Sequence, residues 1–261
     1  MKMIIGFVLL GVVAGISSGM FGIGGGVVIV PALTGLFGFT LQGAVGTSLA
    51  AMLLPVGIFG ALAYYRAGKL RLLVSMLVAI GLIIGGYFGA QLALSLPTAQ
   101  LRQLYGLFLL YAAWRFAEPI RWWQAWRGMR VAVSGETLPE TKTQPVLLLL
   151  VGLGAGVISG MFGVGGGIVI VPALIALLNF DQKLAVGTSL GALLLPVGLG
   201  GVISYYDAGV LDVIAAAGIA AGLVLGAFIG AKIALGLPAA TVKRLYGLFL
   251  LFVGLRFLLG G

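Results

Sequence analysis

The chain has 261 residues, 61% of them hydrophobic and only 8% charged, with a mean hydropathy of +1.23. A water-soluble domain of this size does not carry so much apolar surface, so the composition selects an integral membrane protein. The net charge of +9 comes from 15 Lys and Arg scattered over short loops, which speaks against a nucleic-acid partner, and the absence of cysteine and histidine removes disulfides, thiolate metal sites and the commonest general base.

The apolar stretches are continuous runs rather than ten-residue alternations, which excludes an outer-membrane barrel and leaves helices to span the bilayer. The first stretch covers about residues 3–38 and carries SGMFGIGGG at 18–26. Its beginning imitates a signal peptide, but the same pattern recurs after Pro145, so it is expected in the mature fold. Each glycine weakens a helix by roughly 1 kcal/mol relative to alanine, so so dense a run is an interruption. A span takes about 20 residues, which makes this stretch too long for one helix and slightly short for two. It predicts two short helices joined by a loop inside the membrane.

The next stretch, 41–65, contains Gly46-Thr47-Ser48-Leu49, then Pro55, expected to kink it, and the Tyr64-Tyr65 pair, expected as an interfacial anchor. The third, 70–96, has Gly81, Gly85 and Gly89 in small-xxx-small spacing, a helix-packing pattern, and the fourth covers 99–117. Residues 118–145 form the one long polar stretch. Arg121, Arg127 and Arg130 interleaved with Trp122, Trp123 and Trp126 predict an amphipathic helix on an anionic leaflet, with a flexible tail after Ser134.

From Pro145 the pattern repeats. Adding 141 to a residue number reaches its counterpart: Ser18 and Ser159, Pro31 and Pro172, Pro55 and Pro196, Tyr64-Tyr65 and Tyr205-Tyr206, Tyr105 and Tyr246. Residues 11–116 and 152–257 share 57 identities in 106 gap-free positions. The chain therefore reads as a first transmembrane repeat (1–117), a cytoplasmic linker (118–145) and a second repeat (146–261).

Loop charge orients the copies. RAGKLR (Arg66, Lys69, Arg71) stands where the second copy has DAGVLD (Asp207, Asp212). If the first stretch of each copy enters and leaves on one side, the copies are inverted, and a cytoplasmic linker places 12 of the 15 basic residues inside, with Lys2, Arg102 and Arg256 outside. Parallel copies give about 10 and 5. The positive-inside bias favours inversion. The expected fold is all-α, with two inverted repeats, each a glycine-interrupted hairpin plus three transmembrane helices.

Interrupted helices in an inverted repeat are the mark of an alternating-access transporter. Backbone N–H groups freed at a half-helix start form an anion-binding concavity. The expected substrate site is Ser18, Gly22, Gly24, Gly25, Gly26, Thr47 and Ser48 with Ser159, Gly163, Gly165, Gly166, Gly167, Thr188 and Ser189. The six hydroxyls are expected to converge near the pseudo-two-fold axis, and a side chain at Gly25 or Gly166 to fill the space the anion needs. An enzyme is excluded on chemistry: no histidine activates a serine, Val27 and Val28 stand where a phosphate-binding P-loop needs Lys and Ser/Thr, and no carboxylate lies deep in a span. No cofactor or metal is expected. A homo-oligomer is left open, an anion channel is the alternative function, and a non-transporting assembly component the third.

The doubled G-x-x-S-G-M-F-G-[IV]-G-G-G-x-V-I-V-P-A-L, followed by A-V-G-T-S-L, resembles the sulfite exporter TauE/SafE family of bacterial inner-membrane proteins over nearly the whole chain. The resemblance implies export of sulfite or an organosulfonate such as sulfoacetate. A monovalent anion leaving a cell with 100 mV inside-negative gains about 2.3 kcal/mol, so export needs no membrane-embedded proton carrier.

Overall fold

The computed structural model describes residues 2–55, 57–117, 144–236, 251–252 and 254–255. The first copy forms α1 (Lys2–Phe21), α2 (Gly26–Leu36), α3 (Leu41–Ala51), α4 (Ile58–Arg66), α5 (Leu72–Ser95) and α6 (Thr98–Ala117). The second forms α7 (Pro145–Phe162), α8 (Gly167–Leu178), α9 (Gln182–Ala192), α10 (Leu199–Asp207) and α11 (Val213–Gly236). The Arg/Trp stretch of the linker and most of the last apolar stretch lie outside the described residues.

Two expectations change. The first stretch of each copy is not two short helices but a long helix and a short one, 20 and 11 residues in the first copy and 18 and 12 in the second, because the glycines fall late in the run. The second stretch is broken, not kinked. Pro55 has no N–H to continue α3 and disfavours helical backbone at Leu54, so the chain passes through a turn before α4, and Pro196 does the same between α9 and α10. Among the described residues, α1, α5, α7 and α11 are long and apolar enough to cross a membrane.

The chain divides into two compact units, one of residues 1–96 and 140–236, the other of 97–139 and 237–261. In the smaller unit α6 buries Leu101, Tyr105, Leu109 and Ala112, a stripe of near-helical period, and Leu109 and Leu110 lie against Gly254. The larger unit holds the glycine loops and the rest of the described helices.

Within the larger unit each copy packs its first long helix on the other copy's last. A methyl group at Gly11, Gly15 or Gly19 would run into backbone at Ile219, Leu223 or Ala227, and the mirror set Gly152, Gly156 and Gly160 meets Val78, Leu82 and Gly86. The register advances in the same direction on both helices, so α1 runs parallel to α11 and α7 to α5. Gly81, Gly85 and Gly89 lie on this seam against α7, which is the packing role their spacing predicts. On the opposite side of α5, Met76, Ile80, Ile84 and Phe88 are 48–59% exposed, an apolar face suited to lipid.

The α1–α2 pair is a hairpin that returns to its start. The Phe37 ring lies 4.8 Å from that of Phe7, with Phe39 at 6.3 Å. The α3 entry lies at this same end, since a methyl at Gly43 would stand 3.0 Å from the Val210 carbonyl and Gly218 packs on Phe7. The α4–α5 turn lies instead by the start of α9, where Lys69 donates to Asp181 at 2.7 Å. Asp181 also caps α9, accepting from the Lys183 and Leu184 amides at 3.0 Å each. Thr40 caps α3 in the first copy, but Val210 stands where Lys69 would be, so only one end carries an ionic latch.

Partial burial pushes the Asp181 carboxyl up, but the Lys69 hydrogen bond and charge, with the two amides, outweigh it and hold the group below the usual carboxylate range. A depressed carboxylate stabilises the fold above its unfolded pKa, and this is lost as pH falls through the folded value. Asp181→Asn keeps the cap and removes the charge. It is expected to lower the melting temperature slightly at pH 7, since both side chains are 38% exposed and the pair is worth at most about 1 kcal/mol. The gap from wild type should close below about pH 4; a gap that persists there would show that the charge pair is not its source.

Candidate functional site

The two glycine loops cross each other at the centre of the larger unit. A methyl on Gly26 would collide with the Gly163 carbonyl and lie 2.8 Å from the Val164 Cα; one on Gly167 would collide with the Gly22 carbonyl and lie 2.6 Å from the Ile23 Cα. Gly22, Gly24, Gly25, Gly163, Gly165 and Gly166 have φ between +66° and +86°, a region that side chains disfavour, which lets the chain leave one helix and start the next within four residues.

Every interrupted helix exposes carbonyls at its end and amides at the next start. Three carbonyls at each break are satisfied pair by pair. Ser18 and Ser159 carbonyls accept from the Gly22 and Gly163 amides, both at 2.7 Å. The Gly19 and Gly160 carbonyls accept from the Tyr64 and Tyr205 hydroxyls at 3.2 and 2.9 Å. The Gly22 carbonyl accepts from Ser189 Oγ at 2.7 Å, and that of Gly163 from Ser48 Oγ at 2.8 Å. On the amide side, the N–H groups of Gly24 to Val27 and of Gly165 to Ile168 have no acceptor among the described residues. Eight backbone donors thus stand free at the crossing, beside the carbonyls of Ile23, Gly24, Val164 and Gly165, which have no donor among the described residues either.

The tyrosine pairs are thus split. Tyr64 and Tyr205 are buried struts, not interfacial anchors, while Tyr65 and Tyr206 are 55% and 65% exposed. The strut role left a trace in the sequence only as the repetition of the pair.

The six hydroxyls separate into three couples. Ser18 and Ser159 line a cavity of about 20 Å³ together with Gly24, Gly165, Leu49, Met52, Leu190, Leu193 and Val197. Ser48 and Ser189 hold the opposite copy's loop, as above. Thr47 and Thr188, also buried, accept from the Asp212 and Arg71 amides at 3.1 Å and so fasten the connections that precede α11 and α5. The cavity is lined by the first couple, bounded by loops that the second holds, and not lined by the third. Gly25 and Gly166 point elsewhere as well. Side chains there would meet the Ala14 carbonyl and Leu223 of α11, or Leu82 of α5, so a substitution would act by strain and by collision with the packed helices rather than by filling the cavity.

The cavity has room for one water-sized body. Among the described residues no group of three or more His, Cys, Asp and Glu is placed to hold a metal ion.

A family profile for sulfite exporter TauE/SafE matches residues 7–257, almost the whole chain and both glycine loops. The chain belongs to the sulfite exporter TauE/SafE family. This TauE/SafE member is 31% identical over 252 residues to "Probable membrane transporter protein YdhB" of Bacillus subtilis (strain 168), covering 91% of this chain and 96% of that protein. It is 32% identical over 210 residues to "Probable membrane transporter protein MJ0441" of Methanocaldococcus jannaschii, covering 77% and 72%, and 28% identical to YunE of Bacillus subtilis, covering 97% of each. No solved structure matches. Family membership makes this a multi-pass membrane transport protein and not an enzyme.

Proposed function

We propose that this TauE/SafE member exports a small sulfur-containing anion, sulfite or an organosulfonate such as sulfoacetate, across the bacterial cytoplasmic membrane. Transport proceeds by alternating access of two inverted repeats around the crossed glycine loops. One observation carries the choice of an anion: at both breaks four successive amides at the helix start, Gly24 to Val27 and Gly165 to Ile168, have no acceptor among the described residues, while the Gly22 and Gly163 carbonyls are held by Ser189 and Ser48. Two half-helix starts at the crossing add the positive ends of their dipoles. The reciprocal α1–α11 and α5–α7 pairs supply the two-fold relation that alternating access needs, and a cavity this small, with no wide pore, favours a carrier over an open channel.

The test is flux in proteoliposomes with sulfite, sulfate, thiosulfate, sulfoacetate and chloride side by side. Saturable uptake of one sulfur anion with counterflow supports the carrier; unsaturated conductance replaces it with a channel; no anion dependence removes both.

Inversion has its own test. The native chain has no cysteine, and Ala67 and Ala208 are equivalent exposed turn positions. Inverted repeats place Ala67→Cys inside and Ala208→Cys outside. An impermeant thiol reagent on intact cells should label only the second. Labelling of both, or of Ala67→Cys alone, contradicts the orientation.

A further inference from the structure

Met52 breaks the symmetry of the cavity. Its counterpart is Leu193, and both follow directly on a short helix and line the same space. Yet the first atom that a methyl group would meet from Gly24 and from Gly165 alike is Met52 Sδ, at 3.1 Å in each case, whereas the Leu193 Cδ1 stands 3.4 Å from Gly24. One thioether thus touches both glycine loops at the pseudo-two-fold axis. The Met52 backbone is held, its amide donating to the Ser48 and Leu49 carbonyls at 3.2 Å each, so freedom resides in the side chain. Methionine is unbranched, with three rotatable bonds, and fills irregular space without being fixed by it.

The cavity of about 20 Å³ is small, enough for about one water-sized body. Of the apolar side chains around it, Leu49, Leu190, Leu193 and Val197 are branched, whereas Met52 is unbranched and can change rotamer while its backbone keeps its hydrogen bonds. We propose that Met52 is the size filter of the transport site, the side chain whose displacement sets how large an anion the crossed loops admit. This rests on the anion-transport reading of the cavity and adds the residue that selects among sulfur anions.

Two readouts separate the two ideas. The first is the flux ratio of sulfoacetate to sulfite in proteoliposomes. A single methylene in a pocket is worth about tenfold or more in discrimination, so Met52→Ala should raise the ratio at least about tenfold, and the volume-conserving Met52→Leu should leave it near wild type. The second needs no substrate. With Ser18→Cys as a reporter in the cavity, a bulky sulfonated maleimide should react at least about tenfold faster when Met52→Ala is also present. Met52→Val serves if Met52→Ala does not fold. Equal labelling rates with and without the truncation overturn the filter, whatever the fluxes. An unchanged flux ratio in a transporting variant overturns it as a selector. Faster labelling with no flux of any anion from the wild type overturns the transport reading and leaves Met52 as the element that closes the cavity.

Discussion

Gly26→Ala and Gly167→Ala are each expected to abolish transport and to lower the thermal stability of the detergent-solubilised protein. Intrinsic propensity points the other way, because alanine at a helical position is favoured over glycine by roughly 1 kcal/mol. The loss comes from across the pseudo-two-fold axis. The added methyl at Gly26 would occupy the place of the Gly163 carbonyl, and the one at Gly167 that of Gly22. The obstacle in both cases is backbone, with no flexible side chain to yield, so the loops must part by about 1.5 Å to restore an ordinary carbon–oxygen contact. Overpacking of this kind costs about 1–3 kcal/mol, or more where nothing relaxes, and it acts where Ser48 and Ser189 grip the same carbonyls. Flux should fall at least tenfold at either site, since about 1.4 kcal/mol is a factor of ten. Gly68→Ala and Gly209→Ala are the controls: both sit in surface turns with open space around them, and carry only the left-handed strain of about 1–2 kcal/mol. Wild-type flux through Gly26→Ala would show that the loops do not need their close crossing.

What the sequence revealed and what it hid divide along a physical line. The breaks at 22–26 and 163–167 were legible because glycine density is a property of the chain itself, and the seam of Gly81, Gly85 and Gly89 because small residues four apart mark one helix face. The offset of 141 shows the duplication in the sequence itself. The partners of the hydroxyls were not legible. Thr47 and Ser48 are adjacent, yet one fastens a loop at Asp212 and the other a carbonyl at Gly163, because successive residues of a helix point about 100° apart and only the packed tertiary structure says what each direction meets. The break at Pro55 was underestimated for a related reason: proline alone permits either a kink or a stop, and the choice depends on whether neighbouring groups satisfy the freed backbone. Met52 was invisible as a site residue, since one methionine in a run of leucines and alanines carries no signal until its sulfur is seen against both loops.

Removing Ser48 and Ser189 together, as Ser48→Ala with Ser189→Ala, is expected to be the most damaging pair of hydroxyl deletions in the molecule. Both side chains are fully buried, and each donates the hydrogen bond received by a loop carbonyl of the other copy, at 2.8 Å to Gly163 and 2.7 Å to Gly22. Alanine removes the donor and leaves the carbonyl in place. An unsatisfied buried acceptor costs about 1–3 kcal/mol, so the double variant should lose roughly 2–6 kcal/mol from the conformation in which the loops cross. The freed carbonyls would also add two unpaired acceptors at the loops, opposing the binding of an anion at the same place. Ser→Cys at either position keeps a weak donor and should recover part of the loss. Thr47→Ala with Thr188→Ala removes the same number of buried hydroxyls from the connections before α11 and α5, away from the cavity lining. It should lower thermal stability while changing the half-saturating sulfite concentration little. If the two double variants affect that concentration equally, the serine couple has no special hold on the site; if the threonine pair affects it more, the anion is read at the α4–α5 and α10–α11 connections instead of at the glycine loops.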